Sequence, residues 1–248
     1  MNNNVLVKFE DDWRIQYRND GTDYHNLLKK FLAKEIDNVE ILSISTNKRK
    51  VYKVEYNGRK FVIKHDAEKE YRWEKRLWHF FVGTQYLRLL RFTNKAVHDG
   101  CKVAQEVYLV AEKMISRNFF AEAWIIAEYI DGVTCSEAYK CAGTPKDKQN
   151  CLCNIAKTLT ELHKYGIASN DVHLGNFIID EFSNTRVIDL SVNGFISTCQ
   201  AKDIVSTKEL FNIDIPARNF LTKMAVALIL VRKKLRNIIK RIKTLTKT

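Results

Sequence analysis

Ser169-Asn170-Asp171-Val172-His173-Leu174-Gly175-Asn176-Phe177 decides how this chain is read, together with Val187-Ile188-Asp189-Leu190-Ser191 further on. The first stretch sets an Asp and an Asn five positions apart. That spacing suits a loop whose carboxylate orients an acceptor hydroxyl and takes its proton, while the amide oxygen holds a divalent cation. The residues after it read as a tight hairpin. Phe177-Ile178-Ile179 is one short strand, Glu181 to Asn184 a polar turn, and Arg186-Val187-Ile188 the return strand. The hairpin delivers Asp189 to a strand end, where a second carboxylate can bind the metal that bridges nucleotide phosphates. Phosphoryl transfer needs an aligned hydroxyl and cations that neutralise phosphate charge, and little covalent help. Asp171, Asn176 and Asp189 are the minimal set for that work. A lone Asp-x-x-x-x-Asn often does no more than cap a turn; the ordered set of helix, loop, hairpin and Asp is far less common by chance.

Immediately upstream, Cys151 to Tyr165 reads as a helix that supports the loop. Leu152, Ile155, Ala156, Leu159 and Leu162 fall on one face, and Gly166 ends it. His163 lies on the apolar side and reads as a packed histidine. His173, two residues past Asp171, either donates to a transferring phosphate or braces the loop through a carboxylate or carbonyl; bracing is the favoured of the two.

Asp171-Val172-His173-Leu174-Gly175-Asn176 resembles the D-x-H-x-G-N loop of small-molecule kinases of the protein-kinase-like superfamily, such as aminoglycoside and choline kinases. Leu162-His163-Lys164-Tyr165-Gly166-Ile167 ahead of it, Ile188-Asp189-Leu190-Ser191 behind it, the size and the basic tail narrow the resemblance to the bacterial lipopolysaccharide core heptose(II) kinases. It covers the chain from about Lys64 onward and is strongest over the catalytic loop. It implies an α+β, two-lobed protein-kinase-like fold: a small antiparallel N-lobe sheet with a helix over residues 1–127, and a mostly helical C-lobe over 128–248 with a basic helical tail at 218–248. It also implies ATP and Mg²⁺, with Asp171 catalytic and Asn176 and Asp189 as metal ligands. The acceptor it implies is a heptose hydroxyl of the lipopolysaccharide inner core.

The N-terminal half fits this frame. Val5 to Tyr17 suggests two short strands, and Asp23 to Lys34 a helix capped by Thr22 or Asp23. Val39–Ile44, Val51–Tyr56 and Lys60–Ile63 follow as strands, the last two joined by Asn57-Gly58, a type I′ hairpin signal. Phe61-Val62-Ile63-Lys64 resembles the V-A-I-K strand that carries an ATP-binding lysine. Ala67 to Phe81 reads as a helix offering Glu68, Glu70 and Glu74 as partners for Lys64. Glu74 is the expected one, with Glu70 behind it. Tyr86–Leu90 and Val103–Met114 read as further pieces of helix or strand, and the pattern does not decide between the two. Trp124 to Gly132 is an apolar strand running into a glycine turn. It resembles a hinge where main-chain groups of about Glu128 and Ile130 read an adenine edge and Ala127 lines the pocket.

Two departures matter. The turn from Ser43 to Arg49 has no glycine where protein kinases use a Gly-rich phosphate loop, and Ser45, Thr46 and Asn47 are left to donate side-chain hydrogen bonds. After Asp189, Leu190-Ser191 replaces Phe-Gly and no Ala-Pro-Glu follows, which leaves little room for a regulated activation loop.

Composition bounds the rest. With 248 residues, 46% hydrophobic, the chain can bury a full core. Its net charge is +12, and residues 218–248 carry ten Lys or Arg and no Asp or Glu, so all but two of the net charges sit in the tail. There Leu235, Ile238, Ile239, Ile242 and Leu245 form a helical stripe among basic residues, suited to an anionic membrane surface, while Met224–Val231 is expected to pack on the C-lobe. The last fifteen residues have no aromatic to stack on bases, which argues against nucleic acid. The six cysteines fit neither a zinc site nor a disulfide framework and read as thiols of a reducing compartment. Neither a signal peptide at Met1-Asn2-Asn3-Asn4 nor an apolar run long enough to span a bilayer is present. The expectation is a cytoplasmic enzyme, peripheral at the inner membrane. Two rivals stand: a kinase of another small acceptor, such as an aminoglycoside, and a nucleotide-binding pseudokinase. The excess positive charge opposes the first, and retention of all three metal-site residues opposes the second.

Overall fold

The computed structural model describes residues 5–45, 49–67, 83–116, 119–190 and 195–245. It divides into two compact units, Met1–Asp131 and Gly132–Thr248.

In the first unit the described strands are β1 (Val5–Glu10), β2 (Trp13–Arg18), β3 (Val39–Ser45), β4 (Arg49–Tyr56), β5 (Arg59–Asp66), β6 (Val107–Ser116) and β7 (Phe119–Glu128). They form one antiparallel sheet in the order β1-β2-β6-β7-β5-β4-β3. The sheet is wider than the sequence suggests, because the β1–β2 hairpin adds to β6 and extends it. Asn57 (φ 51°) and Gly58 (φ 72°) both take positive φ between β4 and β5, as a type I′ turn requires.

Helix α1 (Tyr24–Leu32) starts where the Asp23 carboxylate accepts from the Asn26 N–H at 2.9 Å. It stops at Ala33, before Lys34 turns to φ 60°. Its Tyr24, Leu27 and Leu28 bury against Ile15, Val54, Phe61, Ile63, Leu109 and Ile126 on one sheet face. Each such side chain stabilises the unit by roughly 1.5–3 kcal/mol. Tyr24 stacks on Tyr108 at 4.9 Å and meets Phe61 edge-on at 6.2 Å.

Side chains alternate along a strand, so Arg14, Lys64, Glu112 and Ala127 stand on the other sheet face. Helix α2 (Gln85–His98) lies there. The buried Arg14 guanidinium donates to Glu112 at 2.6 Å and to Thr84, the α2 cap, at 3.3 Å. The Tyr86 hydroxyl donates to the buried Asp66. Burial raises the Glu112 carboxyl pKa, partly opposed by Arg14.

In the second unit, β8 (Gly132–Thr134), β9 (Phe177–Asp180) and β10 (Thr185–Val187) make a sheet in the order β10-β9-β8. The hairpin read from Phe177 to Ile188 is β9–β10. Helix α3 (Cys135–Cys141) opens with a full capping box between Thr134 and Glu137. Helix α4 (Pro145–Lys164) begins six residues before the expected Cys151. Thr144 caps it by accepting from Asp147 N–H, and Pro145 occupies its first turn. Ile155, Leu159 and Leu162 are fully buried, and the Thr158 hydroxyl donates to the Thr185 carbonyl at 3.1 Å, tying α4 to β10. Helices α5 (Ile196–Phe211) and α6 (Phe220–Leu245) complete the unit. As expected, Met224–Val231 packs on the C-lobe, through one face only. Met224, Leu228 and Val231 are exposed, and it is the buried Thr222 with the half-buried Ala225, Val226 and Ile229 that face inward.

Candidate active site

The loop that begins at Ser169 is held from below by one buried carboxylate. Helix α4 ends at Lys164, and Gly166 takes φ 71° to turn the chain back. Ile167, Ala168 and Ser169 then run fully buried. The Asp203 carboxylate, on α5 and with no exposed surface, accepts from Ser169 N–H at 2.9 Å and from Asn170 N–H at 2.6 Å. It also meets His163 Nε2 at 3.0 Å. A carboxylate this buried is tolerated because charge-assisted donors surround it. His163 is therefore packed, as read, and also part of the loop's support. Sequence reasoning passed over Asp203; its signal is an acid set among Ala201, Ile204 and Val205, where a charge is costly unless paired.

Gln200, one turn before Asp203, donates to the His163 carbonyl at 3.1 Å and the Ile167 carbonyl at 3.4 Å. Thr222 of α6 donates to Gln200 Oε1 at 3.4 Å. Arg218 donates to the carbonyls of His163 and Lys164 at the end of α4. The loop, the end of α4, α5 and the first turn of α6 are thus one hydrogen-bonded body.

Above this support the loop presents its polar groups. Asn170 takes φ 62°, which turns the chain so that Asp171 projects with its side chain 68% exposed. A three-residue 3₁₀ turn, Leu174–Asn176, carries Asn176 back beneath it. Asn176 is buried, and its Nδ2 donates to the Asp171 carbonyl at 3.0 Å. That bond fixes the spacing read from the sequence and leaves Oδ1 as an oxygen donor. The Asn176 carbonyl accepts from Ile188 N–H at 2.9 Å, which ties the loop to the segment that carries Asp189. Asp189 is exposed and takes φ 55°, the left-handed turn that Asp tolerates better than most residues. His173 Nε2 lies 3.7 Å from Asp171 Oδ2, too far for a hydrogen bond. Its ring lies against Gly175, where an added Cβ would come within 3.2 Å of Nδ1.

A hard cation is what these groups can serve. Magnesium is bound by one or two protein oxygens, the remainder coming from water and substrate phosphates. Asn176 Oδ1 and the Asp189 carboxylate are oxygens of the kind such a cation takes. Among the described residues no group of three or more His, Cys, Asp or Glu could hold a metal alone.

In the first unit, Lys64 sits on β5 in register with Val51 on β4 and Ile125 on β7. Ala127 pairs with Val62, so Ala127 and Lys64 share the sheet face that α2 covers elsewhere. Glu128 is well tied down. Its N–H donates to the Glu106 carbonyl at 2.9 Å, its carbonyl accepts from Gln105 Nε2 at 2.7 Å, and its carboxylate accepts from Glu106 N–H at 3.1 Å. An adenine edge would share that carbonyl's second lone pair. Ile130 is buried. Glu74 and Glu70, the expected partners of Lys64, lie outside the described residues, as do Thr46 and Asn47 of the glycine-free turn.

Known proteins resemble this chain in sequence and in fold. The family described as lipopolysaccharide core biosynthesis protein (WaaY) matches residues 5–245. The chain is 29% identical over 239 residues to the lipopolysaccharide core heptose(II) kinase WaaY of Escherichia coli (strain K12), covering 96% of this chain and 94% of that one. It is 26% identical over 227 residues to a second Escherichia coli protein of that name, covering 92% and 93%. Among solved structures, WaaP in complex with acyl carrier protein matches with a TM-score of 0.50 at 14% identity, over 95% of this chain and 92% of that one. That likeness bears on the fold and supports a protein-kinase-like architecture.

Proposed function

This chain belongs to the lipopolysaccharide core biosynthesis protein (WaaY) family, and from that premise we propose that it is an ATP-dependent kinase for a heptose hydroxyl, heptose II, of the lipopolysaccharide inner core. The observation that carries the reading is the Asn176–Asp171 bond over the Asp203 support. It holds a carboxylate outward and an amide oxygen beneath it, on a loop with no slack.

In this reading the exposed Asp171 carboxylate accepts the hydrogen bond of the sugar hydroxyl, aligns its oxygen and takes its proton as the new O–P bond forms. Asn176 and Asp189 would hold Mg²⁺, which neutralises phosphate charge when bound with ATP. Lys64 pairs with the phosphates. Main-chain groups at Glu128 and Ile130 read the adenine edge. The acceptor is lipid-linked core at the cytoplasmic face of the inner membrane, and the basic tail meets the anionic surface around it.

The test is transfer of labelled phosphate from ATP to core oligosaccharide that lacks heptose phosphate and has been freed of its lipid. Asp171→Asn should lower kcat about 10²–10⁴-fold while ATP binding persists. Wild-type protein that binds ATP but labels no core would refute the acceptor. An Asp171→Asn protein as active as wild type would refute the role of Asp171.

A further inference from the structure

Helix α6 has two opposite faces along its 26 residues. The buried Thr222 and the half-buried Ala225, Val226 and Ile229 make the inward face, and Lys233 continues it by pairing with Glu209 of α5 at 2.5 Å. The side away from that face carries Phe220, Met224, Leu228, Val231, Leu235 and Ile238, each at least 47% exposed, and it runs on to Ile242. At 3.6 residues per turn and 1.5 Å per residue these positions form one unbroken stripe about 33 Å long. No polar residue interrupts it. Lys223 and Lys234 flank it on one side, Arg232 and Arg236 on the other.

We propose that α6 is an interfacial helix over its whole length, with Phe220, Met224, Leu228 and Val231 entering an anionic bilayer alongside Leu235 and Ile238. The proposal deepens the membrane-side part of the function above and rests on it. It assigns lipid contact to the first half of the helix, not only to the basic tail.

The occupant follows from charge and chemistry. Residues 218–248 hold ten Lys or Arg and no acid, so a second copy of the helix would be repelled and an anionic surface attracted. A protein partner would be met by about one hydrogen bond per 100–200 Å² of interface, and this stripe offers no donor or acceptor side chain. A lipid surface asks for none. The helix lies on the bilayer and does not enter it end-on, since no helix among the described residues is long and apolar enough to cross a membrane. Its first turn is fastened through Thr222 and Gln200 to the end of α4. The surface that seats α6 therefore also sets the height of the loop carrying Asp171.

The experiment is flotation of full-length protein with vesicles of phosphatidylcholine and phosphatidylglycerol, and with phosphatidylcholine alone. Leu228→Asp and Met224→Asp point away from the packed face, so both should keep the wild-type melting temperature and the wild-type rate on lipid-free core oligosaccharide. Each should weaken binding to the anionic vesicles roughly tenfold or more, as should Ile238→Asp. If only Ile238→Asp weakens binding, the proposal fails while attachment through the tail stands. If wild type binds no vesicle, or binds neutral ones equally, the proposal and the membrane-side reading both fail. The kinase reading is judged separately, on the lipid-free acceptor.

Discussion

Replacing Asp203 with Asn tests whether one buried carboxylate holds the catalytic loop. Its two oxygens serve three donors: Asn170 N–H on Oδ1, and Ser169 N–H and His163 Nε2 on Oδ2. Asparagine has one acceptor oxygen. If its amide nitrogen stands at the Oδ1 position it faces the Asn170 N–H; at Oδ2 it faces the Ser169 N–H. Either way one charge-assisted bond is lost, about 1.5–3 kcal/mol, and a buried donor is left without an acceptor, about 1–3 kcal/mol more. The sum is about 2.5–6 kcal/mol against a total stability of about 5–15 kcal/mol. The loop relieves the clash by moving, and a shift of about 1 Å at a reacting group costs about 10²-fold in rate. Urea unfolding should show the loss of stability, and amide exchange at Ser169 and Asn170 should accelerate. The kcat for core phosphorylation should fall about 10²-fold. His163→Gln, which leaves both loop amides on the carboxylate, should cost less on each measure. An Asp203→Asn protein with wild-type kcat and wild-type protection at both amides would refute the reasoning.

Two further outcomes are expected elsewhere. At Gly132 an added Cβ would lie 2.2 Å from the Ile179 carbonyl oxygen and 2.8 Å from Ile178 Cγ2, so Gly132→Ala must push β8 off β9. A cost of about 1–3 kcal/mol lowers the melting temperature by about 2–12 °C, and an unchanged melting temperature would contradict the packing. The hydrogen bond from Lys8, with help from Lys29 and His25, lowers the Glu10 pKa from 4.5 to about 2. A depressed carboxylate pKa gives stability that is present above pH 4.5 and lost as pH falls through about 2. The stability difference between wild type and Glu10→Gln should close over that window in acid titrations of unfolding; a difference constant with pH would rule the linkage out.

Much of this was legible in the sequence, and the gaps have physical causes. The catalytic loop and its hairpin were readable because their signals are local: an Asp and an Asn at fixed spacing, then alternating apolar residues around a polar turn. The start of α4 is hard to see in the sequence because Lys146, Asp147, Lys148, Gln149 and Asn150 show no apolar face; the available signal is Thr144-Pro145, a cap and a first-turn proline. Strand β6 gave no alternation because Val107 to Ala111 are buried on both faces. Along α6 the sequence does not tell the packed side from the exposed apolar side, since periodicity marks an apolar face without saying what covers it. Asp203 could not be found from spacing, because its partners are main-chain N–H groups more than thirty residues away.

That separation also orders events as the polypeptide is made. The main-chain groups of Ser169 and Asn170 are synthesised 34 and 33 residues before the carboxylate that receives them. At about 5–20 residues per second the ribosome leaves them waiting roughly 2–7 s. Before that interval closes the nascent chain already contains Asp171, Asn176 and Asp189 yet has no support to set them on. A transcript cut short before residue 203 would therefore encode the motif and no kinase.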